Sequence, residues 1–128
     1  MIVVDASALL AIFLKEDNAE GFARRLTGAG EAVISSVNYW EVLAKAHVLH
    51  GSRGPGLIDE LLATLNISVA ATDEMLAREA AAVFDRYRGR PARLNLGDSF
   101  AYALAQQEGD GLLFKGNDFP RTDVKSAL

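Results

Sequence analysis

Met1-Ile2-Val3-Val4-Asp5-Ala6-Ser7 opens the chain, and its reading decides the fold. Ile2, Val3 and Val4 are a short β-branched run, the pattern of a strand buried on both faces. Asp5 ends that run, and Ser7 is placed to cap the helix that follows. In an open parallel sheet, ligands bind beyond the carboxyl ends of the strands. Asp5 therefore stands where chemistry is done.

Composition bounds what can be built around it. A chain of 128 residues suits one domain, spanning residues 1–128, with a real core. Half the residues are apolar and 23% are charged, which is the balance of a globular protein. With no cysteine there is no disulfide framework, no thiolate nucleophile and no cysteine-based zinc site. This suits a reducing cytoplasm. Ala8 to Leu14 is apolar, but no basic residue precedes it, so a signal peptide is not expected. No apolar run reaches membrane-spanning length. The net charge of −4 means that nucleic acid must be met by a local basic patch or by metal ions.

Outward from the first strand, helices are expected over Ala8 to Lys15 and Ala19 to Leu26, with Gly28 and Gly30 ending the second. Ala32 to Ile34 reads as a second strand, with Ser35 and Ser36 as a cap signal. A helix follows from Val37 to His50. Its apolar stripe runs Val37, Ala44, Val48, and Glu41 falls on the same line. A carboxylate there is costly unless it is paired, protonated or bound to a metal. The alternative is a capping box with Asn38 as cap and Glu41 three residues on. Gly51 to Gly56 is rich in breakers and reads as a loop. Leu57 to Leu65 is helical with Leu57, Leu61 and Leu65 aligned, and Ile67 to Val69 is a third strand. Thr72 or Asp73 caps a helix from Glu74 to Tyr87. Asn95 caps the last helix, with Asp98 as its third residue. Leu112 to Phe114 is a fourth strand, and Thr122 to Val124 a final edge strand.

Each of Asp5, Glu41, Asp98 and Asp118 has an ordinary structural role available: a turn, a cap, a helix-dipole partner. Their topology sets them apart. Asp5 and Asp118 follow apolar strands, while Glu41 and Asp98 lie early in helices. In a right-handed parallel βαβ arrangement, strand ends and helix starts share one edge. Two carboxylates about 4 Å apart repel by roughly 4 kcal/mol at an effective dielectric near 20. Four such groups cannot stay ionised together without a cation. Hard oxygen ligands with no Cys or His select Mg²⁺ or Mn²⁺.

These residues also carry a family resemblance. Ile2-Val3-Val4-Asp5-Ala6-Ser7, Trp40-Glu41, Leu96-Gly97-Asp98-Ser99-Phe100 and Phe114-Lys115-Gly116-Asn117-Asp118-Phe119 resemble, in order and spacing, the PIN-domain proteins. The resemblance is closest to the VapC toxin ribonucleases of toxin–antitoxin pairs, and it covers nearly the whole chain. It implies a three-layer α/β/α fold with a short parallel sheet flanked by helices. It implies a metal-dependent endoribonuclease, a homodimer, and neutralisation by a cognate antitoxin whose tail reaches the acidic site. Carried over by position, Asp5, Glu41, Asp98 and Asp118 are the catalytic acids, and Asp5 and Asp98 hold the metal. Ser7 supports the first acid. Asn117 and Asp123 are alternative contributors beside the fourth. The expected reaction is in-line hydrolysis of an RNA phosphodiester by water activated at the metal.

Arg86, Arg88, Arg90 and Arg93 form the one basic stretch, just ahead of Asp98. They are either a solvated loop or a rim that contacts RNA phosphates. Phe13, Leu14, Leu62 and Leu65 either meet a second copy or fill the core. His47 and His50 are structural or surface residues. Three other activities compete. An aspartyl-phosphate enzyme would want a second acid two residues after Asp5, where Ser7 stands. A catalytically silent nucleic-acid-binding module would not need four acids. A metal-dependent DNA nuclease would use the same chemistry, because recognition of the 2′-hydroxyl is not legible here.

Overall fold

The computed structural model describes residues 1–128. Its strands are β1 (Ile2–Val4), β2 (Ala32–Ser35), β3 (Ile67–Ala70) and β4 (Leu112–Leu113). Its helices are α1 (Ala6–Phe13), α2 (Ala19–Ala29), α3 (Ser36–His50), α4 (Gly54–Thr64), α5 (Glu74–Tyr87) and α6 (Leu96–Glu108). The four strands form one parallel sheet in the order β3-β2-β1-β4.

Alternation along the strands builds the layers. Ile2, Val4, Ala32 and Ile34 pack on one face with Leu9, Phe22, Val42 and Ile58, under α1 to α4. Val3, Val33 and Leu112 pack on the other face with Leu76, Ala80, Tyr102 and Leu104, under α5 and α6. Both faces are therefore covered, which is why the strands read as unbroken apolar runs. The result is the expected three-layer α/β/α fold. The sheet grows from β1 through β2 to β3 in one direction and places β4 on the other side of β1. The strand order reverses between β1 and β4, and such a reversal opens a crevice at the carboxyl ends.

Several local expectations are corrected. The capping residue of α1 is Asp5, whose Oδ2 accepts from the Ser7 amide at 3.0 Å, so Ser7 lies inside the helix. The cap of α3 is Ser35, whose Oγ accepts from the Asn38 amide at 3.0 Å. Asn38 and Glu41 therefore form no capping box. The buried stripe of α3 is Asn38, Val42 and Ala46, one position round from the expected Val37, Ala44 and Val48, and Val48 is 79% exposed. In α4 the buried residues are Ile58 and Leu62, again offset from Leu57 and Leu61. The periodicity was right and its phase was wrong, because both helices carry apolar residues on adjacent stripes.

Gly51 to Gly56 is not a loop. Gly51–Arg53 is a turn of 3₁₀ helix, and α4 begins at Gly54. A side chain at Gly54 would collide with the Ala46 backbone, so the glycine lets α4 start against α3. Pro55 is tolerated in the first turn, where no intrahelical donor is needed. Thr122 to Val124 forms no strand. Phe119–Arg121 is a 3₁₀ turn, and the chain returns to the sheet only at an isolated bridge between Ser126 and Leu112.

Candidate functional site at the carboxyl edge of the sheet

Asp5 leaves β1 directly into the β1–β4 crevice. Its amide donates to the Leu113 carbonyl at 2.9 Å, which pins it beside the end of β4. The residue is only 4% exposed. Ser7 donates to Asp5 Oδ2 through both its amide, at 3.0 Å, and its hydroxyl, at 2.5 Å. The Ser7 Oγ also accepts from the Lys115 amide at 2.9 Å. Ser7 thus ties the first acid to the loop that carries Asn117 and Asp118.

Glu41 stands on α3 and is half-buried. Asn38, fully buried one turn earlier, donates from its side-chain nitrogen to Glu41 Oε1 at 2.8 Å and to the Gly97 carbonyl at 2.9 Å. Its side-chain oxygen accepts from the Ser35 hydroxyl at 2.6 Å. The amide is fully bonded, and it links the starts of α3 and α6. Sequence reasoning missed this role, reading Asn38 only as a cap. The available signal was a polar residue four positions before Val42 on what proved to be the buried stripe.

Asp98 sits in the first turn of α6, as expected. Asn95 Oδ1 accepts from the Asp98 amide at 2.8 Å, and Asp98 Oδ2 accepts from the Asn95 amide at 3.0 Å. This capping box is complete. It occupies Oδ2 and leaves Oδ1 without a protein donor. Asp118 begins the 3₁₀ turn past β4 and is exposed. Asn117 is exposed in the same loop.

The acids feel one another. Burial, with Asp98 and Glu41 adding to it, pushes the Asp5 carboxyl up to about 6, against the opposing bonds from Ser7. Burial and Asp98 raise Glu41, against the bond from Asn38. Burial and Asp118 raise Asp98, against the bond from Asn95. Asp5, Glu41, Asp98 and Asp118 are therefore one electrostatic group. No three of them close into a ready-made cage for an ion. The cluster is open, oxygen-rich and free of Cys and His, and its buried carboxylate lacks a cationic partner. This donor set fits a hard divalent cation.

Asp123 stands apart. Tyr102 and Tyr87 donate to its Oδ1, and Arg86 lies 3.7 Å from its Oδ2. These contacts hold its carboxyl below the usual range, the Tyr102 bond most of all. The expected basic stretch runs from the last turn of α5, which holds Arg86, into the loop before α6, and Arg86, Arg88, Arg90 and Arg93 are all exposed. Of the apolar residues considered for a dimer contact, Leu62 and Leu65 belong to the core, Phe13 is half-buried, and Leu14 is 41% exposed. His47 and His50 are exposed, and the His50 ring packs edge-on against Phe13. No helix is long and apolar enough to cross a membrane.

The family model for the PIN domain matches residues 2–125. The chain belongs to the PIN-domain family. Among curated PIN-domain relatives, it is 40% identical over 129 residues to Ribonuclease VapC42 of Mycobacterium tuberculosis, covering 98% of each chain. It is likewise 40% identical over 133 residues to Ribonuclease VapC28 of the same organism, covering 99% of this chain and 98% of the relative. Among solved structures, it resembles the M. tuberculosis toxin VapC20, described as cleaving the sarcin-ricin loop. The TM-score is 0.75 at 15% identity, over 98% of this chain and 97% of that one. This structural likeness carries the PIN fold. The relatives' activities are properties of those proteins.

Proposed function

We propose that this chain is a metal-dependent endoribonuclease toxin of a type II toxin–antitoxin pair, neutralised by a cognate antitoxin protein. One observation carries the reading. A carboxylate buried at the strand-order reversal, Asp5, is electrostatically joined to Glu41 and Asp98, and through Asp98 to Asp118, with no cation from the protein among them. The near-full-length identity to proteins named VapC ribonucleases supports RNA as the substrate. The reading extends to a single PIN-like unit that pairs as a homodimer in the cytoplasm.

Asp5 and Asp98 are the residues that would hold Mg²⁺, or Mn²⁺ in its place. Such an ion lowers the pKa of water and offsets charge on a phosphodiester. The protein's own groups do the positioning. Ser7 fixes one oxygen of Asp5, and Asn95 fixes one oxygen of Asp98, so each presents its other oxygen to the crevice. Asn38 holds Glu41 Oε1 and leaves Oε2 free of protein donors. Glu41 binds a proton more tightly than an ordinary glutamate. It is therefore suited to hold or release a proton near the departing oxygen. Asp118, exposed at the mouth, completes the acidic group and orients water. Arg86, Arg88, Arg90 and Arg93 form a rim for RNA phosphates.

The test is cleavage of mixed cellular RNA by antitoxin-free protein with Mg²⁺, with Mn²⁺ and with chelator, beside Asp98→Asn. Asparagine can still accept the Asn95 amide, so the helix cap survives the change. Metal-dependent cutting that vanishes in the variant is expected. Cutting that survives Asp98→Asn would overturn the site. Equal cutting of single-stranded DNA of the same sequence would overturn the choice of RNA.

A further inference from the structure

Three arginines converge at a place the acidic site does not explain. Arg90, Arg93 and Arg121, with Pro91, line a cleft of about 290 Å³. No acidic residue lines it. None of the protein's ion pairs includes Arg90, Arg93 or Arg121. Arg86, by contrast, lies 3.7 Å from Asp123 and over the Tyr87 ring, so it stands outside the notch. Three like charges around one notch repel, and a protein of net charge −4 has carboxylates enough to place beside them. An anion with several acceptor oxygens satisfies such a notch, because guanidinium forks match phosphate geometry.

The notch is built by fixed backbone. Ala92 and Leu94 are each 1% exposed, and they anchor the loop on either side of exposed Arg93. The Arg93 amide donates to the Gly89 carbonyl, and the Leu94 amide to the Tyr87 carbonyl, each at 2.9 Å. Arg93 holds the left-handed conformation at φ +55°. Arg121 Nη1 donates to the Pro91 carbonyl at 3.0 Å, which fastens the two walls together.

Both walls run into the acidic cluster. The Arg121 amide donates to the Asp118 carbonyl at 3.1 Å, so this arginine is one turn past the fourth acid. Arg93 stands two residues before Asn95, the residue that caps the helix of Asp98. Even fully extended, the five steps from Arg93 to Asp98 span no more than about 17 Å. That bound is the span of two to three consecutive phosphates on one nucleic-acid strand, about 6–7 Å apart.

We propose that the Arg90–Arg93–Arg121 notch is a phosphate seat, holding a backbone phosphate of a single strand within about three nucleotides of the phosphodiester that lies over the acidic cluster. It rests on the ribonuclease reading for its ligand, and it assigns to Arg121 a role outside the Arg86 to Arg93 rim. The seat sets which bond is presented, by fixing the strand at a constant distance from the acids.

The experiment is binding of a short labelled single-stranded RNA of mixed sequence in chelator, across a salt series. The proteins compared are the parent, Arg93→Asn with Arg121→Gln, Arg90→Gln alone, and two controls that lose one and two charges elsewhere, Arg24→Gln and Arg24→Gln with Arg53→Gln. Asparagine tolerates the left-handed backbone at position 93. Arg90 makes no hydrogen bond within the protein, so its variant leaves the loop's internal bonds intact. The double variant should bind about ten-fold more weakly. Its salt slope should be shallower by about 0.7, the value for one single-strand phosphate contact. Arg90→Gln should shift both in the same direction, and both controls should match the parent. Notch variants that keep the affinity and slope of the control with the same charge would overturn the seat. So would inorganic phosphate that binds the parent but not the variants while RNA affinity stays unchanged, since the notch would then serve a free anion. Binding without metal keeps the two readings separate: absent cleavage in Mg²⁺ with normal notch-dependent binding removes the nuclease and leaves the seat.

Discussion

The carboxylate of Glu41 fills the space in which a side chain at Gly97 would stand. A Cβ built there would lie 2.6 Å from Glu41 Cδ, closer than any real contact. The same glycine's carbonyl accepts the Asn38 side chain at 2.9 Å. The third acidic position, on α6, thus approaches the second, on α3, only because residue 97 has no side chain.

Gly97→Ala should therefore push Glu41 out of place while leaving the rest of α6 helical. The atoms in the way are the end of a flexible side chain, so Glu41 swings aside and the cost in stability should be small. A displacement near 1 Å at a reacting group can cost about a hundredfold in rate. Single-turnover RNA cleavage and urea unfolding would be measured together. Near-parental cleavage in a folded variant would show that the position of Glu41 is not important.

Asn38→Ala should leave the Gly97 carbonyl and Glu41 Oε1 without their donor. An orphaned buried polar group costs about 1–3 kcal/mol each. Glu41, freed of the bond that lowers it, should titrate higher still. The pH–rate profile of the variant should move to higher pH on its alkaline limb, where a proton-donating Glu41 loses its proton. An unshifted profile would make Asn38 a structural residue only.

Asp5→Asn should stabilise the metal-free protein at neutral pH. The carboxyl binds its proton more tightly when folded, at about 6 against an ordinary 3.8. Its contribution to stability is therefore full below about pH 4 and is lost as pH rises through about 6. At about 1.4 kcal/mol per unit, the loss approaches 3 kcal/mol. Asparagine avoids it. In chelator at pH 7 the variant should melt higher than the parent. Mg²⁺ should raise the melting temperature of the parent alone. A variant that still gains stability from Mg²⁺ would remove Asp5 from the ligand set.

Asp118→Asn should lower cleavage far more than Asp123→Asn. Asp118 raises Asp98 through space, whereas Asp123 is engaged by Tyr102, Tyr87 and Arg86. The carboxyl of Asp123 is depressed on folding, so its support is present above the ordinary carboxylate range and is lost as pH falls through the folded value. Asp123→Asn should accordingly reduce stability slightly at pH 7 and not at all in strong acid. The reverse ranking of the two variants in cleavage would exchange their roles.

Three of the four acids were legible because they sit at boundaries that sequence marks well, whereas Glu41 lies in the second turn of α3. Asp5 ends a β-branched run, Asp98 follows an Asn cap, and Asp118 follows an apolar strand. The phase of α3 was not legible. Val37, Ala44 and Val48 repeat as regularly as Asn38, Val42 and Ala46, and only packing against the sheet decides between the two stripes. Gly54 read as a breaker for the same reason: its close approach to Ala46 lies between elements, not along the chain.

By itself, the sequence determined the parallel α/β architecture, the order of the elements and the four acids at their ends. Those features follow from local periodicity and from the rule that βαβ units share one hand. Tertiary structure alone decided which groups serve the acids. Asn38 bridging to Gly97, Ser7 receiving the Lys115 amide, Asp123 held by two tyrosines and Arg121 meeting Arg90 and Arg93 all join residues from different elements. Such contacts depend on how elements pack, and periodicity along one element carries no information about its neighbour.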